Sequence, residues 1–300
     1  MYSRFQVCLL AFSIFCLSVK SQDLRQLHIY EDSLASVSRK IQRSTDDSVR
    51  QSLNTLFRTT LKYAIGLDGS FSYPFDSLKK LGKLTSPDHN FRMYNWNLPQ
   101  TNGTNRYFCF LQVPDKNHKG HFRIIELNDK SDTIQNPEFA ALSYRNWYGA
   151  LYYRIIPEKT GSVTLYTLLG WQGLNLLQMQ KVIEILTFDY KGNPQFGKKV
   201  FYKYQNGENK RVIFNYSSTT SMSLRFDEST LSKNKRWNAS RKKFDPVKEK
   251  VHMIIYDRLV RLESRESREP LQVPAGDAYD GFIFVNGRWN FISGVDARNN

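Results

Sequence analysis

Apolar residues recur at helical spacing near the start of the chain and at strand spacing after it. Leu27, Tyr30, Leu34, Val37 and Ile41 follow one another at three and four residues, so one face of a helix is apolar. Thr45, Asp46 and Asp47 then offer side-chain oxygens to the exposed N–H groups of a second helix. That helix is predicted over about 46–65, with Val49, Leu53, Leu56, Phe57, Leu61 and Ala64 as its stripe and Gly66 as its stop. Two amphipathic helices with so short a join read as a helical hairpin.

From about Lys83 the period changes to two. Segments 91–96, 107–113, 121–127, 151–156, 163–169, 182–190, 196–202, 212–216, 222–226 and 251–259 read as strands. Segments 282–285 and 288–292 flank Asn286-Gly287, a pair that accepts the positive φ values of a tight hairpin turn. Short connections favour antiparallel neighbours, and no helical segment alternates with the strands. The fold class is therefore α+β and mostly β: a helical hairpin over 22–68, then a large antiparallel β domain over 69–300. That domain forms a curved sheet, a sandwich or a partly closed barrel.

Segment 1–21 stands apart. Arg4 precedes an apolar run from Val7 to Leu17, and Val19-Lys20-Ser21 presents residues suited to leader cleavage. The run is too short to span a bilayer. The expectation is a periplasmic or secreted protein without a transmembrane anchor. Of three cysteines, Cys8 and Cys16 leave with the leader. Cys109, between Phe108 and Phe110, reads as a buried apolar side chain.

Charge narrows the partners. The chain carries +15, and Arg4 and Lys20 of the leader account for only two of those charges. Such an excess favours an anionic partner, and export directs it toward an anionic glycan or an envelope protein rather than nucleic acid. The densest basic stretch is 233–250, read as a solvated loop. Arg241, Lys242 and Lys243 at its centre are the candidate contact patch. Segment 258–269 alternates arginine with glutamate and reads as an exposed loop or a single helical turn.

No nucleophile elbow, phosphate-binding loop, zinc-protease motif or dinucleotide fingerprint occurs, and no cofactor or metal is expected. His118 and His121 lie in a polar turn. Two segments carry candidate ligand chemistry. Asp277, Tyr279 and Asp280 lie among glycines, with Trp289 across the terminal hairpin. Carboxylates and aromatic faces of this kind suit a sugar cleft, a pair of acid/base carboxylates, or simply a turn. Trp171 stands between Gly170 and Gly173, either exposed for stacking or folded into the core. Glu184, between Ile183 and Ile185, faces outward by alternation.

The segments 91–96 (Phe-Arg-Met-Tyr-Asn-Trp), 166–171 (Tyr-Thr-Leu-Leu-Gly-Trp), 181–184 and 276–289 together resemble an exported Bacteroidetes-type protein family of unknown function. The resemblance covers most of the β region and implies a soluble envelope location. The expected function is that of a non-enzymatic binding or scaffold protein of the cell envelope. The alternative is a carbohydrate-active hydrolase using carboxylates near Asp277 and Asp280.

Overall fold

The computed structural model describes residues 24–115, 118, 120–238, 243–262 and 271–295. At 229–238, 243–249, 262 and 271 it describes the backbone alone. The leader segment 1–21 lies outside the described residues. Among those described, no helix is long and apolar enough to cross a membrane.

The chain divides into two compact units. The first runs to Thr101 and includes Arg106–Leu127. The second comprises Asn102–Asn105 and everything from Asn128.

The first unit opens with two helices, α1 (24–43) and α2 (Asp47–Ala64). Asp46 caps α2, its side chain accepting from the Val49 N–H at 2.8 Å. The inward stripe is narrower than expected. Phe57, Leu61 and Ala64 are buried, whereas Val49 and Leu56 are exposed. Asn54 is buried beside them, because its Oδ1 accepts from Trp96 Nε1 at 2.8 Å. A four-stranded sheet follows in the order β1 (Gly82–Thr85), β2 (Arg92–Pro99), β3 (Asn105–Pro114), β4 (Phe122–Asn128). The helices and sheet share one core that includes Leu27, Leu34, Phe57, Phe75, Tyr94 and Phe110.

The second unit is a β-sandwich. One sheet has the order β5-β9-β8-β7-β6: β5 (Leu142–Ser143), β6 (Leu151–Thr160), β7 (Val163–Gly173), β8 (Gln178–Phe188) and β9 (Pro194–Phe196). A sixth strand, β11 (Val212–Ser217), pairs with the N-terminal half of β8, while β9 pairs with its C-terminal end. The other sheet has the order β10-β15-β14-β13-β12: β10 (Phe201–Tyr202), β12 (Leu224–Asn238), β13 (Lys243–Leu262), β14 (Leu271–Val285) and β15 (Arg288–Ser293). Ile183, Ile185 and Leu169 of the first sheet pack against Ile254, Phe282 and Trp289 of the second. Trp289 Nε1 donates to Thr167 Oγ1 at 2.9 Å, and Tyr153 Oη to the Leu224 carbonyl at 2.8 Å.

The α+β, mostly antiparallel reading holds. The β region divides into three sheets, and none closes into a barrel. Among the described strands β10 pairs with β15 in parallel, and Asp129 and Trp147 form an isolated parallel bridge. Four local expectations are corrected. Segment 196–202 is not one strand, because the chain leaves the six-stranded sheet after Phe196 and joins the other at Phe201. The basic stretch 233–250 is not a loop. Residues 224–238 pair with 243–256 in one long ribbon, and β12 is the edge strand of its sheet. Residues 258–262 continue β13 rather than forming a loop; 263–270 lie outside the described residues. Segment 274–282 is a strand rather than a turn. Its glycines accommodate a bulge: β13 advances from Asp257 to Leu259 while β14 passes from Tyr279 to Pro274. Gly276, inside that bulge, has φ +75°.

Candidate functional site

Chain reversal between β10 and β11 builds a cleft of about 550 Å³ on the second unit. Lys203 and Gln205 take left-handed backbone conformations on either side of Tyr204, and Gly207 follows with φ +73°. This tight path wraps the segment over β10. The parallel pairing of Phe201 with Trp289 and Tyr202 with Asn290 then brings Arg288, from the far end of the chain, to the same rim.

Tyr202 is 47% exposed, while Phe201 beneath it is buried in the sandwich core. Lys203 Nζ lies 5.6 Å and Arg288 Cζ 6.0 Å from the Tyr202 ring centroid. Lys199 also lines the cleft and pairs at 2.5 Å with Glu208, the one carboxylate among its described lining residues. Gln205 and Asn206 add exposed amides. The cleft thus combines an aromatic face, two cations without a carboxylate partner among the described residues, and amide donors. That set can hold a ring bearing hydroxyl and anionic groups.

The segments singled out from the sequence have other duties. Asp280 is 8% exposed and clamped. Arg258 donates to it through Nε at 3.0 Å and Nη2 at 2.5 Å, and the Gly294 N–H donates at 3.0 Å. Burial alone would raise its pKa, but these hydrogen bonds and the guanidinium charge bring it below the usual carboxylate range. A general acid needs the opposite shift. Asp277 is exposed in the β14 bulge, and Tyr279 is half-buried with the Arg225 guanidinium 5.7 Å from its ring centroid. Trp289 is fully buried. These four residues do not form one open cleft.

Trp171 is half-buried against the sandwich core. Its flanking glycines serve packing. A side chain at Gly170 would meet the Tyr152 ring at 2.9 Å, and one at Gly173 would meet the Trp171 ring at 3.0 Å. Arg241 and Lys242 lie outside the described residues. Lys243 opens β13, and its side chain is likewise outside the description. Cys109 is buried, as its neighbours imply.

Glu184 corrects the alternation rule. Val182, Ile183, Glu184, Ile185 and Leu186 are all fully buried, because β8 is covered on both faces. The β8–β11 register sets Val212 opposite Ile183, so Arg211 arrives one step further on, against Glu184. Arg211 donates from Nε to Glu184 and from Nη1 to the Pro137 carbonyl. Burial raises the Glu184 pKa, and the Arg211 charge opposes that rise. A second acidic partner joins the two sheets: Glu158 Oε1 of β6 lies 2.5 Å from His252 Nδ1 of β13. Burial raises the Glu158 pKa against the influence of His252. Among the described residues, no three metal-ligating side chains cluster.

Sequence reading missed the Tyr202 cleft. Asn206-Gly207 marked a turn, but the convergence of Tyr202 with Arg288 depends on a parallel pairing across more than eighty residues of chain. No protein-family model, curated protein or solved structure matches the chain.

Proposed function

We propose that this chain is an exported, non-enzymatic binding protein of the bacterial cell envelope, and that it holds an anionic glycan on the Tyr202 cleft. The observation that carries the reading is the exposed Tyr202 ring with Lys203 and Arg288 against it. A sugar ring presents C–H groups to the aromatic face, while its carboxylate or sulfate meets the two cations. The chain's excess positive charge favours encounter with such a polymer. Export rests on the leader-like segment 1–21 and on the resemblance to an exported family.

Retention on immobilised polygalacturonate, with dextran as the neutral control, tests this reading. Tyr202→Ala and Arg288→Gln, made singly, each lower affinity for polygalacturonate; the loss at Tyr202 is about tenfold, the scale of one stacked ring. Neither changes retention on dextran. Neutralising Arg241, Lys242 and Lys243 together tests the rival patch on the ribbon. If that triple variant loses binding while Tyr202→Ala retains it, the Tyr202 cleft is not the site.

A further inference from the structure

The first unit contains a second cavity, of about 500 Å³, whose chemistry differs from that of the Tyr202 cleft. It lies among the end of α1, the start of α2, the segment before β1, and the last residues of β2. Seven of its twelve lining residues are apolar, Phe57, Leu81, Trp96 and Leu98 among them. Among the described residues no carboxylate lines it, whereas Arg50 and Lys80 both do.

Its wall is fixed by packing. The Trp96 ring stacks on Phe108, with centroids 5.4 Å apart and planes 15° apart, and Phe57 meets it edge-on at 5.4 Å. Its Nε1 is committed to Asn54. Arg50 is anchored through Nε to the Ser44 carbonyl at 2.9 Å and through Nη1 to Asp47 at 2.8 Å. Asp47 offsets part of its charge. Lys80 is exposed and makes no ion pair among the described residues. An uncharged apolar ligand would leave that ammonium unanswered, and a polar sugar would leave the apolar wall uncovered. The volume falls in the range of small-molecule sites, roughly 300–1,000 Å³.

We infer that this cavity binds a single-chain aliphatic carboxylate. The hydrocarbon lies against Phe57, Leu81 and Trp96, and the carboxylate pairs with Lys80, with Arg50 as the nearby second cation. The inference is independent of the glycan reading, which concerns the other unit.

Trp96 is a built-in reporter, because a bromine-bearing dodecanoate seated beside it quenches indole fluorescence. The expected result is saturable quenching that plain dodecanoate reverses and dodecyltrimethylammonium does not. Dodecanol competes at least about tenfold more weakly than dodecanoate, the combined scale of two partly exposed ion pairs. Trp96→Phe removes most of the quench. Should that variant fail to fold, Lys80→Gln at an exposed position keeps the question open to decision. It weakens dodecanoate about threefold and leaves dodecanol unchanged. Equal competition by dodecanol and dodecanoate, a quench that survives Trp96→Phe, or no quench in the native chain would each overturn the inference.

Discussion

The two units bury charge in different ways. In the first, the buried charged side chains Arg92 and Glu31 are answered by neutral groups. Arg92, 6% exposed, donates from Nη1 to the carbonyls of Ser70, Phe71 and Tyr73, and lies 5.0 Å from the Tyr94 ring centroid. Glu31 accepts from Tyr73 Oη and from the Ser77 N–H, each at 2.5 Å. Both tie down the segment 65–81, which contains no strand and no helix, so backbone groups there need partners from side chains. In the second unit, charge is answered by charge. Glu184 meets Arg211 and Asp280 is gripped by Arg258, while Glu158 is hydrogen-bonded to the His252 imidazole. Those contacts join strand to strand and sheet to sheet. A buried charge in an irregular segment replaces missing backbone hydrogen bonds; one in a sandwich fixes which strands sit together.

The sharpest way to break this contrast is Arg211→Leu. It strands Glu184 in a fully buried site, at a cost of about 3–5 kcal/mol. Urea unfolding measures the loss, and amide exchange locates it: β8 and β11 lose protection while α1, α2 and β2 keep theirs. Adding Glu184→Leu recovers most of the stability, since an apolar pair of similar volume is often no worse than a buried ion pair. If the double variant stays as unstable as the single one, Arg211 acts mainly through the Pro137 carbonyl, and the charge-for-charge description of the second unit fails.

The counterpart in the first unit is Arg92→Leu. Three carbonyls lose a donor, and the expected cost is about 2–3 kcal/mol, borne by segment 65–81 and the strands beside it. No carboxylate partner is removed, so no second substitution rescues it. Recovery by any single carboxylate-to-leucine change would show that Arg92 belongs to an ion pair after all. Glu31→Gln is milder, about 1–2 kcal/mol, because the amide still reaches Tyr73 or Ser77 but not both in the same sense.

The contrast also explains what was legible in the sequence. The helical stripes of Leu27, Leu34, Leu61 and Ala64, the Asn286-Gly287 hairpin and the burial of Cys109 are local patterns, and they appear where expected. Partners distant along the chain are invisible to such patterns. Glu184 read as outward because alternation assumes one wet face. The warning was that Val182, Ile183, Ile185 and Leu186 surround it on both faces, which leaves a central charge no wet face and so demands a partner. Nothing near Arg211 named it as that partner. The Asp277–Asp280 segment misled for a related reason. Glycine and aspartate mark turns, but they also mark bulges and close strand approach. A side chain at Gly281 would meet the Ile254 carbonyl oxygen at 2.5 Å. The Tyr202 cleft depended on an eighty-residue return, and the apolar cavity of the first unit on residues from three elements and the irregular segment before β1.

The smallest expected effect is on acid stability, and it separates the carboxylates by sign. Glu31 in the first unit and Asp280 in the second both titrate below their ordinary range. Burial opposes this at each, but hydrogen bonds prevail, from Tyr73 and Ser77 at Glu31 and from Arg258 and Gly294 at Asp280. Their stabilisation is complete above about pH 4–5 and is lost as pH falls through the depressed folded values. Glu158 has a raised pKa through burial, so its contribution runs the other way: the fold loses stability as pH rises from about 4 through the raised folded value. Asp280→Asn therefore flattens the acid limb of a stability-against-pH curve, whereas Glu158→Gln flattens the limb above it. A steeper acid limb in Asp280→Asn would mean that the Arg258 clamp holds the neutral carboxyl rather than the anion. The charge-for-charge contact at the β14 bulge would then have to be withdrawn, leaving Glu184–Arg211 to carry the contrast with the first unit.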